Sequence, residues 1–175
     1  MKKIFGLRKR FYIPPLIALL CMYAASFYYP NIEVRHVYNV CPVFIVYTDS
    51  FVGDGNSGTC RGPIILIRPE YKDDLLVETH EVVHAKQSYR TFFLGWIKCF
   101  YDQEYLAKVE AEAYAIEITD YTQISTYAKM IQNEYAPETD VRIIEDYLYR
   151  YWDECTRCET CYSHIQANQL VSLTK

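Results

Sequence analysis

The segment Glu78-Thr79-His80-Glu81-Val82-Val83-His84 carries two histidines four residues apart, with a glutamate beside the first. On a helix, four residues make just over one turn, so His80 and His84 leave one face about 40° apart. Two imidazoles so placed can share one zinc ion (Zn2+), and Glu81 can act as general base toward a water on it. With ordinary residue frequencies, under about one per cent of chains this long would show the pattern by accident, so it reads as a metal-site signature. A catalytic zinc also needs a third protein ligand and an open position. Residues 85–95 contain no histidine, and His36 and His164 stand far away in the sequence. A carboxylate from a later helix is the remaining solution. The run Lys108-Val109-Glu110-Ala111-Glu112-Ala113-Tyr114-Ala115 offers Glu110 and Glu112 on opposite sides of its apolar face. Periodicity does not choose between them, and Glu117 is a further alternative.

The pairing of His-Glu-x-x-His on one helix with Glu-x-x-Ala on a later one resembles the gluzincin zinc metallopeptidases, above all the compact minigluzincin-scale members. Gln87, three residues after His84, matches a spacing seen in small peptidases of bacterial and phage genomes. The resemblance spans residues 64–117. It implies Glu110, followed by Ala113, as third zinc ligand beside His80 and His84, and Glu81 as the catalytic base. Tyr114 stands where many members carry an aspartate that orients a ligand histidine, so a tyrosine hydroxyl would have to serve there. The implied activity is zinc-dependent hydrolysis of peptide bonds in a peptide or protein substrate. A Tyr or His would complete the oxyanion site, and the 18 Tyr give no choice among them. Ile64–Ile67 would be the edge strand at which an extended substrate adds. The alternative is a zincin-like module that binds or scaffolds without hydrolysis. The intact Glu81 opposes it, since a binding module has no chemical need for a base.

The elements that must position these residues follow from local pattern. Val43-Phe44-Ile45-Val46-Tyr47 and Ile64-Ile65-Leu66-Ile67 are β-rich runs, separated by the turn chemistry of Gly53-Asp54-Gly55-Asn56-Ser57-Gly58. They predict a small, mostly antiparallel sheet. Pro69 breaks the second strand, and residues 72–89 read as a helix. Phe92 to Phe100 is apolar around Gly95, which suits a short helix or a surface lying on a membrane. Residues 102–119 form a clear helical pattern with Leu106, Val109, Ala113 and Ile116 on one face. Residues 121–135 form another, stopped by Pro137. Asp140 can cap a last helix with Val141, Ile144, Leu148 and Trp152 as its buried stripe. The predicted fold class is α+β: a small sheet followed by a helical, zincin-like core.

Composition bounds the rest. The 175 residues are 51% hydrophobic and 23% charged, which excludes a disordered or fibrous chain, and a formal charge of -4 signals no nucleic-acid partner. Charge is uneven: Lys2, Lys3, Arg8, Lys9 and Arg10 precede an apolar run from Leu16 to Ala25, and no acid comes before Glu33. Residues 1–30 therefore read as a signal peptide or a signal anchor, with Ala24-Ala25-Ser26 as a small-residue cleavage site and residues 31–175 as the metallopeptidase domain. The expected location is exported or membrane-anchored with that domain outside the cytoplasm. Without Cys21, six of the seven Cys remain, an even number that suits an oxidising compartment. Cys41 and Cys60 flank the strand and turn and are expected to bridge. Cys155, Cys158 and Cys161, with His164 behind them, suit either crowded disulfides or a second metal site.

Overall fold

The computed structural model describes residues 20–25, 28–29 and 31–157. Helical residues 20–25 (α1) lead into four strands: β1 (Ile32–Val37), β2 (Cys41–Tyr47), β3 (Gly58–Arg61) and β4 (Ile64–Ile67). Helices α2 (Leu75–Arg90), α3 (Gly95–Cys99), α4 (Gln103–Tyr114), α5 (Ile124–Glu134) and α6 (Val141–Arg157) follow, with 3-10 turns at Pro69–Tyr71 and Tyr121–Gln123. The class is α+β, as the sequence order of strand-rich and helix-rich halves predicts.

The sheet runs in the order β1-β2-β4-β3. β1 pairs antiparallel with β2, and β3 with β4, but β2 and β4 are parallel, with Phe44 opposite Ile64 and Tyr47 opposite Ile67. The two apolar runs are therefore parallel neighbours inside a sheet expected to be mostly antiparallel. The connection between them carries β3, which turns about Gly62 at φ 70 and delivers β4 into the middle of the sheet. β3 is only Gly-Thr-Cys-Arg, and β1 contains Glu33, Arg35 and His36, so neither has the apolar content that marks a strand in sequence. Ile64–Ile67, expected at an edge, is paired on both sides; the edges are β1 and β3.

The same topology overturns the expected Cys41–Cys60 bridge. Both are free thiols. Cys60 pairs with Ile65, and Ile65 with Ile45, four residues along β2 from Cys41. Two strand spacings alone come to about 9.5 Å, beyond the roughly 7 Å that a disulfide spans between Cα atoms. Cys158, Cys161 and His164, the basic head and most of the apolar run lie outside the described residues. Among the described residues, no helix is long and apolar enough to cross a membrane.

Two apolar cores result. In the first, Val43, Ile45, Ile65 and Ile67 of the sheet pack on Ala85 of α2, with Val77, Val82 and Tyr89 at its margin. In the second, Ala107 and Ala111 of α4 meet Ala128 and Ile131 of α5 and Ile144 and Leu148 of α6. α2 starts at Leu75, where the Asp74 carboxylate accepts from the amides of Leu76 and Val77 as an N-cap. α4 ends at Tyr114, five residues before the expected limit. Its chain then tightens into a turn in which the Glu117 amide donates to the Tyr114 carbonyl, and Ile118 drops into the second core. α2 and α4 face one another across the seam between the cores.

Leu148 is fully buried. Leu148→Ala is expected to lower stability by about 2–5 kcal/mol, and Asp74→Ala by about 1 kcal/mol, in chemical denaturation with an unchanged slope. A loss well under 1 kcal/mol for Leu148→Ala would contradict the second core as drawn.

Candidate metal centre

On α2, His80, His84 and Gln87 follow at helical intervals and face α4, while Val77, Val82, Ala85 and Tyr89 serve the sheet core. α4 returns Glu110 to the same point. The two Nε2 atoms lie 3.2 Å apart, and Glu110 Oε2 is 3.8 Å from His80 Nε2 and 3.6 Å from His84 Nε2. Their side chains are 11%, 17% and 10% exposed. The structure thus brings together His80, His84 and Glu110 as a group that can hold a metal ion.

Hydrogen bonding at the far side of each ring fixes what the near side offers. The Gln87 amide nitrogen donates to the Val109 carbonyl at 2.9 Å and to Glu112 Oε2 at 3.1 Å, so its amide oxygen is the atom facing His84 Nδ1 at 2.9 Å. Nδ1 of His84 therefore donates. Nδ1 of His80 likewise donates to Glu117 Oε1 at 2.9 Å. Each neutral ring is left with a lone pair on Nε2, and the two lone pairs meet the Glu110 oxygen, a buried atom with no hydrogen-bond partner. Three acceptors share one point without a donor among them, an arrangement that a cation satisfies. Without a metal ion a proton fills that place on His84: burial pushes the ring down, but the Glu110 carboxylate outweighs that and raises it to about 9, so a metal ion would bind there by displacing that proton.

Of the alternative ligands, Glu112 is engaged elsewhere. It takes two hydrogen bonds from Arg90, at 2.9 and 2.6 Å, besides the one from Gln87. Glu117 orients His80 rather than joining the ligand group. Tyr114 does not take that role; its ring lies edge-on to His80 at 4.4 Å between centroids, and its hydroxyl pairs with that of Tyr135 at 3.0 Å. Sequence reading missed the orienting duties of Glu117 and Gln87. For Gln87 the signal was available, since His80, His84 and Gln87 recur at helical spacing; Glu117 lies beyond the end of α4, where helical spacing says nothing of it.

Glu81 is buried beside this group, and its Oε2 has no hydrogen-bond partner. Burial pushes its carboxyl up, while the nearby His84 and His80 pull the other way. Its side chain fits against Gly58 of β3. A Cβ there would stand 3.1 Å from Glu81 Cγ and Oε1 and 3.3 Å from the Leu66 carbonyl oxygen. Burial and the Glu81 charge push the Cys60 thiol up, which keeps it neutral. These groups floor a cleft of about 720 Å³, walled by Ser57–Cys60 at the sheet edge, Trp96 of α3, Phe100 just after that helix, and Tyr135. That volume suits a few residues of a peptide.

No family model matches the chain, and neither a characterised protein nor a solved structure matches it.

The orienting hydrogen bonds make a prediction. Gln87→Ala and Glu117→Ala should each weaken metal binding, read in a competition titration with zinc as the probe, by about 10–100-fold, with Glu117→Gln milder because it still accepts from Nδ1. His80→Ala should abolish binding. Unchanged affinity in both alanine variants would remove Gln87 and Glu117 from the centre.

Proposed function

We propose that the chain is a zinc-dependent peptidase. One observation carries the reading: two imidazole nitrogens and a carboxylate oxygen converge at the floor of an open cleft, with the buried Glu81 beside them. Separations of 3.2 to 3.8 Å between these atoms suit bonds of about 2.0–2.2 Å to a shared tetrahedral ion. Two imidazoles and one carboxylate favour zinc over magnesium or calcium, which take oxygen ligands. Held there, zinc would polarise a substrate carbonyl and acidify a water.

The chain's own groups then do the proton work. Glu81 takes a proton from the attacking water as its oxygen bonds to the peptide carbon. The C–N bond breaks, and Glu81 passes that proton to the leaving amine. Tyr135 lines the same cleft as Glu81 and Glu110. The Tyr114–Tyr135 pair holds two O–H protons and uses one between themselves, which leaves the other to meet a developing oxyanion. β3 is an unpaired sheet edge along the cleft, so an extended substrate adds there by backbone hydrogen bonds, in the place first expected of Ile64–Ile67. The basic head and apolar run of the sequence favour export or membrane anchorage of this activity.

The full chain, purified with zinc, is expected to cleave members of a diverse peptide library. Glu81→Gln should keep the metal and lose about 10²–10⁴-fold in rate, because an amide accepts hydrogen bonds but no proton. Gly58→Ala should also retain zinc but lower the rate, since the added methyl displaces the Glu81 side chain. Wild-type turnover by Glu81→Gln would refute the mechanism. A wild-type chain that binds zinc and cleaves nothing would point to the binding module instead.

A further inference from the structure

We infer that one end of this fold rests on a lipid bilayer carrying anionic headgroups. The end in question is where α2 finishes. There Tyr89 donates its hydroxyl hydrogen to the Pro42 carbonyl, next to the β1–β2 turn, and Phe93 packs against the β3–β4 turn at Gly62. The end of α2 and these two turns therefore share one edge of the molecule. Large apolar side chains stand out from it on separate segments. Val40 of the β1–β2 turn is 76% exposed, Phe92 after α2 84%, Trp96 of α3 59% and Phe100 just after α3 77%.

The backbone is distorted to hold this surface. Tyr38, Phe92 and Phe93 have φ of 51, 50 and 61, a left-handed conformation uncommon for aromatic residues. For Phe92 the strain places a ring in water, with no compensating burial among the described residues. Apolar exposure and backbone strain at one place mark a surface that meets something else.

The route of the chain says what that is. Tyr23 of α1 reaches His36, close to the β1–β2 turn, at 2.7 Å. From there α1 leads away to the start of β1, where Ile32 pairs with Val46. Leu20, at the start of α1, is 60% exposed. Leu16-Ile17-Ala18-Leu19 comes directly before it in sequence, and five bases occupy the first ten residues. A bilayer receives all three features together. Its hydrocarbon takes the aliphatic run, its interface takes Trp96 and the phenylalanines, and its anionic headgroups attract the bases. A second copy of this chain would answer the apolar edge but not the bases. Because Trp96 and Phe100 also wall the cleft, the contact sets the cleft mouth at the membrane surface. If the peptidase reading holds, its substrates are polypeptide segments presented at that surface; the contact itself does not depend on hydrolysis.

Trp96 and Trp152 are the only two tryptophans, so the surface carries its own reporter. The full chain with Trp152→Phe is mixed with vesicles of phosphatidylglycerol and phosphatidylethanolamine, with and without brominated acyl chains. Trp96 emission is expected to shift to shorter wavelength on binding and to be quenched by the bromine. The Trp96→Phe chain, which keeps Trp152, is expected to lose that quenching, and it serves as the test if Trp152→Phe fails to fold. His80→Ala is expected to respond to lipid as the unaltered chain does, which separates failure of the metal site from failure of the surface. A vesicle-bound chain whose Trp96 is neither shifted nor quenched would overturn the inference, as would no binding at all. A shift that grows with protein concentration in the absence of lipid would also overturn it, in favour of a second copy.

Discussion

Three hydrogen-bond acceptors are pressed together between α2 and α4, and most of the structure serves to hold them there. Two imidazole nitrogens and a carboxylate oxygen within 3.2 to 3.8 Å of one another repel unless something positive lies among them. Neither core contains that point. The sheet core lies on one side of α2, and the helical core lies beyond α4. The cluster sits in the seam, so a cation bound there also ties the two halves of the fold. Binding and stability are then linked, and a chelator acts on both.

α2 has to be two-faced for this to work. Toward the sheet it buries Ala85, with Val77, Val82 and Tyr89 at the margin; toward α4 it offers His80, His84 and Gln87. Buried polar groups are tolerated only when paired, and the pairing is laid out in series. Arg90 grips Glu112, Glu112 and the Val109 carbonyl fix the Gln87 amide, and Gln87 fixes the tautomer of His84. On the other ring Glu117 does the same work directly. Within the centre, the buried atoms left without partners are Glu81 Oε2 and Glu110 Oε2, both on residues that line the cleft; among the described residues Trp152 Nε1 is a further one, away from it.

What was legible in the sequence was what is local. His80 and His84 are one helical turn apart, so their meeting needs nothing but a helix. The stripe of Ile144 and Leu148 behind Asp140 is local too, and both residues are fully buried. Glu110 needed a resemblance to single it out, because periodicity leaves Glu112 equally placed until Arg90 is known to claim it. Glu117 was legible only as a rival ligand. Its orienting role depends on α4 ending at Tyr114, and the burial of Ile118 in a distant core contributes to that ending. Strand order is less local still. Residues 64–67 look like an edge to anyone who pairs neighbouring runs, but β3 takes the edge and β4 the interior. The Cys41–Cys60 expectation failed for the same reason, since closeness in sequence is not adjacency in a sheet.

X-ray absorption at the zinc K-edge of the purified full chain, loaded with one equivalent of zinc, tests the central claim most directly. The account predicts a first shell of nitrogen and oxygen at about 2.0–2.2 Å, with outer-shell scattering from two imidazoles that disappears in the His80→Ala, His84→Ala double variant. A shell containing sulfur at about 2.3 Å would place the metal on cysteines instead. A shell without imidazole scattering would likewise contradict a centre built on His80, His84 and Glu110.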